Sequence, residues 1–452
     1  MFIDVLVAEI GSTTTLVNAF RGIADGDPRL VGQGMAPTSV SEGDVRIGLN
    51  GAVRDLEKKL GGTVEYGEMF ATSSAAGGLR MCVHGLIYDM TVRAAEAAAL
   101  GAGAIVRLAT AGKLTDYDLQ DIREENPNVI LLAGGTDYGE RETALYNARQ
   151  IAELRPNAPV IYAGNIQNQS AVRALYERAG LDLYIAENVY PRLDQLNIEP
   201  TRRVIQDVFE SHIVKAPGME RIRELVTGGI MPTPGAVMQA TKLLYDEIGD
   251  LVVLDIGGAT TDVHSVSAGS EEIASLMTAP EPFAKRTVEG DLGLYVNAKN
   301  LLRLIGKEAL AQELGLDIDA VMGDYRPIPE TPEQLKLTER LCREAGTVAV
   351  SRHAGALRYL YTPSGRQTIA EGKDLTQVRN VIGTGGALTR LPGREALLRQ
   401  IADCNKSRLM LFPRPGEARL LFDSDYIMAS LGVLGKKYPE AALKLMKRSL
   451  GI

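Results

Sequence analysis

Two glycine-rich turns 246 residues apart do more to limit the fold of this chain than any other feature. AEIGSTTTLVNAF, starting at Ala8, aligns with LDIGGATTDVHSV, starting at Leu254. The alignment places Glu9 on Asp255, Ile10 on Ile256, Gly11 on Gly257, Thr14 on Thr260, Thr15 on Thr261 and Val17 on Val263. Each segment follows an apolar strand and turns through glycine and small hydroxyl residues into a second strand. One such turn is an ordinary hairpin. Two in one register, one near the start of each half, indicate a duplicated domain whose copies face each other across a cleft.

The chemistry of such a turn follows from its residues. Glycine lets the backbone come close to a ligand, and successive N–H groups in the turn form an anion-binding concavity. Ser12, Thr13 and Thr14 in the first turn, and Gly258, Ala259, Thr260 and Thr261 in the second, add donors to Gly11 and Gly257. A carboxylate ending the preceding strand can hold a divalent cation through water, as magnesium on a phosphate chain prefers. Glu9 and Asp255 have that position, and Asp262 follows the second turn. A third segment, VIGTGGALTRLP at 381–392, carries Gly383, Gly385 and Gly386 before a helix start, where bare backbone can lie against a purine or ribose.

The rest of the chain reads as α/β layers, with short apolar strands alternating with helical periodicity. Strands are expected at 2–8, 14–20, 30–37 and 66–72, with a helix over 43–60. Strands at 129–133, 159–164 and 183–186 alternate with helices at 141–154 and 169–179, the parallel crossover pattern of an inserted βαβαβ module. The domain expectation is a first half over 1–125, the module over 126–190, a return with connecting helices over 191–247, and a second half over 248–452. After 254 the chain reads as mostly helical, with long helices at 301–314 and 332–361.

With 452 residues, 45% hydrophobic and 23% charged, the chain is long enough for about three folding units and is not a disordered one. A formal charge of −8 offers no counterion-release term, so no nucleic-acid partner is expected. No apolar run reaches the ~18 residues of a membrane span, and MFIDVLVAEIGS lacks a basic signal n-region, so no membrane partner and a cytoplasmic location are expected. The three cysteines and four histidines show no metal-ligand spacing.

The three motifs stand in the order of the actin, hexokinase and heat-shock-70 ATPase superfamily: phosphate 1, phosphate 2, adenosine. DIGGATTDV resembles phosphate 2 with Ala259 in place of a third glycine, and VAEIGSTTT resembles phosphate 1 with glutamate where aspartate is usual. More narrowly, the chain resembles the glutamate mutase accessory proteins of cobalamin mutase operons, the MutL or GlmL family, distinct from mismatch-repair MutL. ATSSAAGGLRMCVHGL, LLAGGTDYGE, LVTGGIMPTPGAV and VEGDLGLYVNA carry that resemblance beside the two turns. It implies duplicated ribonuclease H-like (actin-like ATPase) domains around a nucleotide cleft, with ATP or ADP and Mg²⁺ as cofactors. It implies Glu9, Asp255 and Asp262 as catalytic and metal-binding carboxylates. The implied activity is a weak ATPase, acting as a chaperone or reactivating factor on subunits of an adenosylcobalamin-dependent mutase; a homo-oligomer stays open. A small-molecule kinase and a nucleotide-binding scaffold without turnover are the alternatives.

Other motifs carry less. GAGAIV at 101–106 lacks the third glycine of a dinucleotide fingerprint. AGGTDYGE at 133–140 is either an anion site at a helix start or a tight packed turn. His264 opens a cobalamin-like DxHxxG whose glycine comes too late, and is expected to be a surface or partly buried strand residue. His353 is expected as a satisfied helix residue, and Lys436, Lys437, Lys444, Lys447 and Arg448 as a solvated helix face.

Overall fold

A computed structural model describes residues 1–11, 14–74, 79–212, 218–362 and 365–452. The chain divides into two compact units: Met1–Ala240 with Ala429–Leu445, and Thr241–Met428 with Met446–Ile452.

The first unit opens with β1 (Phe2–Ile10), β2 (Thr14–Arg21), β3 (Arg29–Pro37) and β4 (Glu65–Ser73). The chain then builds a second sheet from β5 (Leu79–Gly85), β6 (Ala104–Ala111), β7 (Val129–Leu132), β8 (Val160–Tyr162) and β9 (Leu183–Ile185). It returns to the first sheet as β10 (Ile230–Pro232). The first sheet has the order β10-β4-β1-β2-β3. Strands β1 and β2 are antiparallel, with Glu9 opposite Leu16 and Ile10 opposite Thr15. Strand β4 runs parallel to β1, with Thr72 beside Glu9.

The second unit repeats this plan. Its strands are β11 (Leu251–Ile256), β12 (Thr261–Val266), β13 (Ala284–Glu289), β14 (Gly355–Thr362), β15 (Gly365–Glu371), β16 (Asn380–Thr384), β17 (Met410–Leu411) and β18 (Arg419–Phe422). The main sheet has the order β18-β16-β11-β12-β13, the first unit's order strand for strand. Asp255 lies opposite Asp262, Ile256 opposite Thr261, and Thr384 beside Asp255 in the parallel neighbour. The expected duplication is therefore present in topology and in register. Alternation sorts the faces: Ala8 and Ile10 join one core, Leu254 and Ile256 the other, so Glu9 and Asp255 point away from those cores.

Three expectations change. The inserted sheet is five-stranded and parallel, in the order β6-β5-β7-β8-β9, so it starts well before residue 126. The sequence of β5, LRMCVHG, hides its buried character behind Arg80 and His84. The helix expected over 301–314 is two, Ala298–Ile305 and Lys307–Leu314, parted at Gly306 with φ 89°. The helix Pro332–His353 is capped by the Thr331 hydroxyl, with Pro332 in its first turn. It stops at His353; the aromatic-rich run beyond it pairs as β14 with β15 and β17. Among the described residues, no helix is long and apolar enough to cross a membrane.

Candidate functional site

In the second unit, β11 delivers Asp255 to the base of the turn at 257–260. The Gly257 N–H donates to the Thr260 carbonyl at 3.0 Å. The segment 290–297 packs beneath. Its Leu294 N–H donates to the Gly257 carbonyl (3.1 Å), and its Tyr295 and Val296 N–H groups to that of Gly258 (2.8 and 2.9 Å). The Asn297 side chain donates to the Ala259 carbonyl at 2.9 Å. A Cβ on Gly293 would lie 2.2 Å from that carbonyl oxygen, so glycine is required there. All three turn carbonyls are thereby occupied from below. The exposed Gly258 and Ala259 N–H groups have no acceptor among the described residues. A turn with carbonyls tied down and N–H groups left outward is an anion receptor.

The charges behind the turn interlock. The buried Arg286 of β13 donates to Asp262 Oδ1 from Nε at 2.9 Å and from Nη2 at 2.7 Å. Thr260 Oγ1 donates to the other Asp262 oxygen at 3.0 Å. Asp423, just past β18, accepts from Thr384 Oγ1 (2.9 Å), the N–H groups of Ile427 (3.1 Å) and Met428 (2.9 Å), and Ser449 Oγ (2.8 Å). Asp255 lacks so strong a partner. Burial first, then the charges of Asp262 and Asp423, push its carboxyl up to about 7 against the pull of Arg286. Gly385, at φ 80°, backs directly onto it: a Cβ there would sit 2.4 Å from Asp255 Oδ1.

A raised folded-state pKa means that Asp255 favours the fold below its ordinary pKa of 3.8 and that this contribution is lost as pH rises toward 7. The metal-free protein should lose on the order of a few kcal/mol of stability between about pH 4 and pH 8 from this group. Asp255→Asn should flatten that slope in a pH series of thermal melts; an unchanged slope would assign it to other groups.

The first unit has the same backbone and different chemistry. The Gly11 N–H donates to the Thr14 carbonyl at 3.0 Å, as in the second turn. Thr38 Oγ1 donates to the Gly11 carbonyl at 2.9 Å. Ser12 and Thr13 lie outside the described residues. Glu9 is buried. Its Oε1 accepts from Ser430 Oγ (2.6 Å), the Ser430 N–H (3.2 Å) and Asn18 Nδ2 (3.4 Å). Asn18 also donates to Ser430 Oγ at 2.8 Å and accepts from Gln33 at 2.8 Å. By register, Asn18 and Gln33 stand where the second unit has His264 and Arg286. A neutral amide thus replaces the arginine, and one carboxylate replaces the pair.

Several sequence expectations resolve here. Thr261 spends its hydroxyl on the Leu292 carbonyl (2.9 Å) and does not line the turn. Gly383 packs against Leu388 and Leu398, while Gly386 is exposed. His264 is fully buried and held neutral by its burial, not at the surface. His353 is satisfied by Thr287 and Ser265, as expected. The basic face is partly tied down: Lys437 pairs with Glu68, Lys447 with Glu247, and Lys444 donates to the Gly26 carbonyl. The turn at 133–140 is tied down by Asn165, which donates to the Gly139 and Glu140 carbonyls, and by Asn188, which donates to that of Gly135. Arg286, Asp423, Asn18, Gln33 and Ser430 went unnoticed in the sequence. Arg286 lies on β13, and nothing local in the chain ties it to the second turn.

Residues 5–450 match the family model described as MutL protein. Protein MutL of Clostridium tetanomorphum is 38% identical over 430 residues, 90% of this chain and 92% of that one. Among solved structures, nucleotide-free acetone carboxylase has a TM-score of 0.41 at 13% identity, covering 95% of this chain and 70% of that chain. A glycerol dehydratase reactivase has a TM-score of 0.33 at 10% identity, covering 95% and 99%.

Proposed function

The chain belongs to the MutL protein family, and on that premise we propose that it binds ATP or ADP with Mg²⁺, hydrolyses ATP slowly, and uses that cycle to reactivate an adenosylcobalamin-dependent mutase. The observation that supports this reading is the twin turn. Two glycine–threonine hairpins share one register and one Gly N–H to Thr carbonyl bond, and each follows a strand that ends in a carboxylate.

The donor set suits Mg²⁺. Among the described residues, no group of three or more His, Cys, Asp or Glu side chains is placed to cage a metal. Magnesium asks for one or two carboxylates, phosphate oxygens and retained water. Asp255 would hold it with Asp262 nearby, and Glu9 would serve on the phosphate 1 side. The ion would supply charge neutralisation on the phosphate chain.

The chain's own residues do the rest. The Gly258 and Ala259 N–H groups take phosphate oxygens, and Thr260 and Arg286 hold Asp262 still. Ser430 and Asn18 fix Glu9 in one orientation, suited to holding the attacking water. Glu9→Gln should therefore lower kcat by at least tenfold while ADP affinity changes by less than threefold, read by steady-state hydrolysis and titration calorimetry. Equal turnover in parent and variant would remove Glu9 from the catalytic site.

The test of the function itself mixes the protein with a cobalamin-inactivated glutamate mutase and follows recovery of mutase activity with added coenzyme. Recovery should need Mg·ATP and fail with a non-hydrolysable analogue. Phosphorylation of a hydroxy or carboxylic acid at kinase rates, ~1–100 s⁻¹, would replace this reading with the kinase one.

A further inference from the structure

We propose that the carboxyl edge of the five-stranded parallel sheet in the first unit is the surface on which the partner mutase docks, through a mutase face that is apolar at its centre and basic at its rim. This rests on the functional reading above, since it names where that partner is held.

The order β6-β5-β7-β8-β9 is, in chain order, 2-1-3-4-5. Parallel sheets of that order receive ligands outside their carboxyl ends, beside the point where the order reverses. Here that point lies between β5 and β7. The loops that border it are tied to one another by buried asparagines. Asn165 donates to the Gly139 and Glu140 carbonyls and accepts from Tyr138 N–H (3.3 Å) and Gln167 N–H (3.0 Å). Asn188 donates to the Gly135 carbonyl (2.9 Å) and to Asp137 Oδ1 (3.0 Å), which also accepts the Ile166 N–H (2.9 Å). Asn168 donates to the Arg141 carbonyl at 2.9 Å. The loops after β7, β8 and β9 are thus pinned together from within.

Their tips do the opposite of what a fold needs. Each of the five exit segments on this edge exposes a large apolar side chain: Tyr88 after β5, Tyr117 after β6, Tyr138 after β7, Ile166 after β8 and Leu193 after β9. Tyr138 is 77% exposed and Leu193 73%. Tyr138 also sits at φ 64°, a left-handed conformation that a bulky side chain adopts only under constraint. A strained aromatic held outward on a pinned loop is organised for a contact outside the chain. Aromatic anchors on rigid supports are what protein interfaces use, since little side-chain freedom is lost on binding.

The charges around these tips say which kind of face fits. Asp89, Asp116, Glu140, Glu142, Glu187 and Asp194 are exposed here, against Lys113, Arg141 and Arg192. An acidic rim around apolar tips selects a basic-rimmed partner and makes the encounter depend on salt.

The experiment measures binding of a purified, cobalamin-inactivated glutamate mutase by titration calorimetry with Mg·ATP present, for the parent, Tyr138→Gly and Leu193→Arg. Glycine suits the Tyr138 backbone, so Tyr138→Gly should melt at the parent temperature or above. Both variants should bind nucleotide as the parent does and lose at least tenfold in mutase affinity, and parent binding should weaken between 50 and 500 mM NaCl. Parent-like mutase affinity in both variants would overturn this surface and leave the functional reading standing. A parent that binds no mutase in any nucleotide state would overturn both.

Discussion

Arg286→Met should lower the melting temperature of the protein by about 10 °C at pH 8. The arginine and Asp262 are both buried, and the guanidinium meets one carboxylate oxygen with two N–H groups. Removing one partner of such a pair leaves an uncompensated charge, at a cost of about 3–5 kcal/mol. Each kcal/mol is worth ~2–4 °C in a unit of this size. The arginine also moderates Asp255, so its loss leaves two carboxylates facing each other across β11 and β12. The sign of the pH dependence follows. In the variant the folded state holds protons above the ordinary carboxylate range, so stability should return as pH falls toward 5. A second substitution, Asp262→Asn, should recover part of the loss at pH 8, because the stranded charge is gone. A single variant within about 1 kcal/mol of the parent would mean that water reaches and solvates Asp262 once the arginine is gone.

Asp255→Asn combined with Thr260→Val should abolish the thermal stabilisation that Mg·ADP confers. For the parent, ligand at a hundred times its Kd adds ~2.7 kcal/mol, roughly 5–10 °C by the scaling above. The double variant keeps the turn backbone but loses the carboxylate behind it and the hydroxyl that bridges to Asp262. Because Asp255→Asn also removes a costly buried charge, the nucleotide-free variant should melt no lower than the parent at pH 8. Binding and folding then move in opposite directions, which a merely damaged protein cannot imitate. A full nucleotide shift in the double variant would place the phosphates elsewhere.

What could be read from the sequence was local in the chain. Glycines and hydroxyls beside apolar runs marked both turns, and a 246-residue offset aligned them. What stayed hidden was brought together by pairing. Arg286 reaches Asp262 because β13 lies beside β12, and Ser430 reaches Glu9 from 421 residues away. Composition cannot show such pairings. The strand β5 is masked by its own polar residues, since a strand paired on both sides in a parallel sheet is expected to be continuously apolar. The apolar residues of the run after His353 suit a helical period or a strand period, and only pairing with β15 decides for the strand.

The first unit is not continuous in the chain. Residues Ala429–Leu445 belong to it, and Ser430 among them supplies two of the donors to Glu9. During synthesis, then, the first sheet is complete by about residue 232 while its buried carboxylate still lacks those donors. At ~5–20 residues per second, Ser430 follows some ten to forty seconds later. For that interval Glu9 lacks those partners, so this part of the first unit cannot reach its final form. The Glu9 carboxylate is set in place only after almost the whole second unit has been made. A chain broken off before residue 430 would keep both turns and lack the two Ser430 donors that hold Glu9.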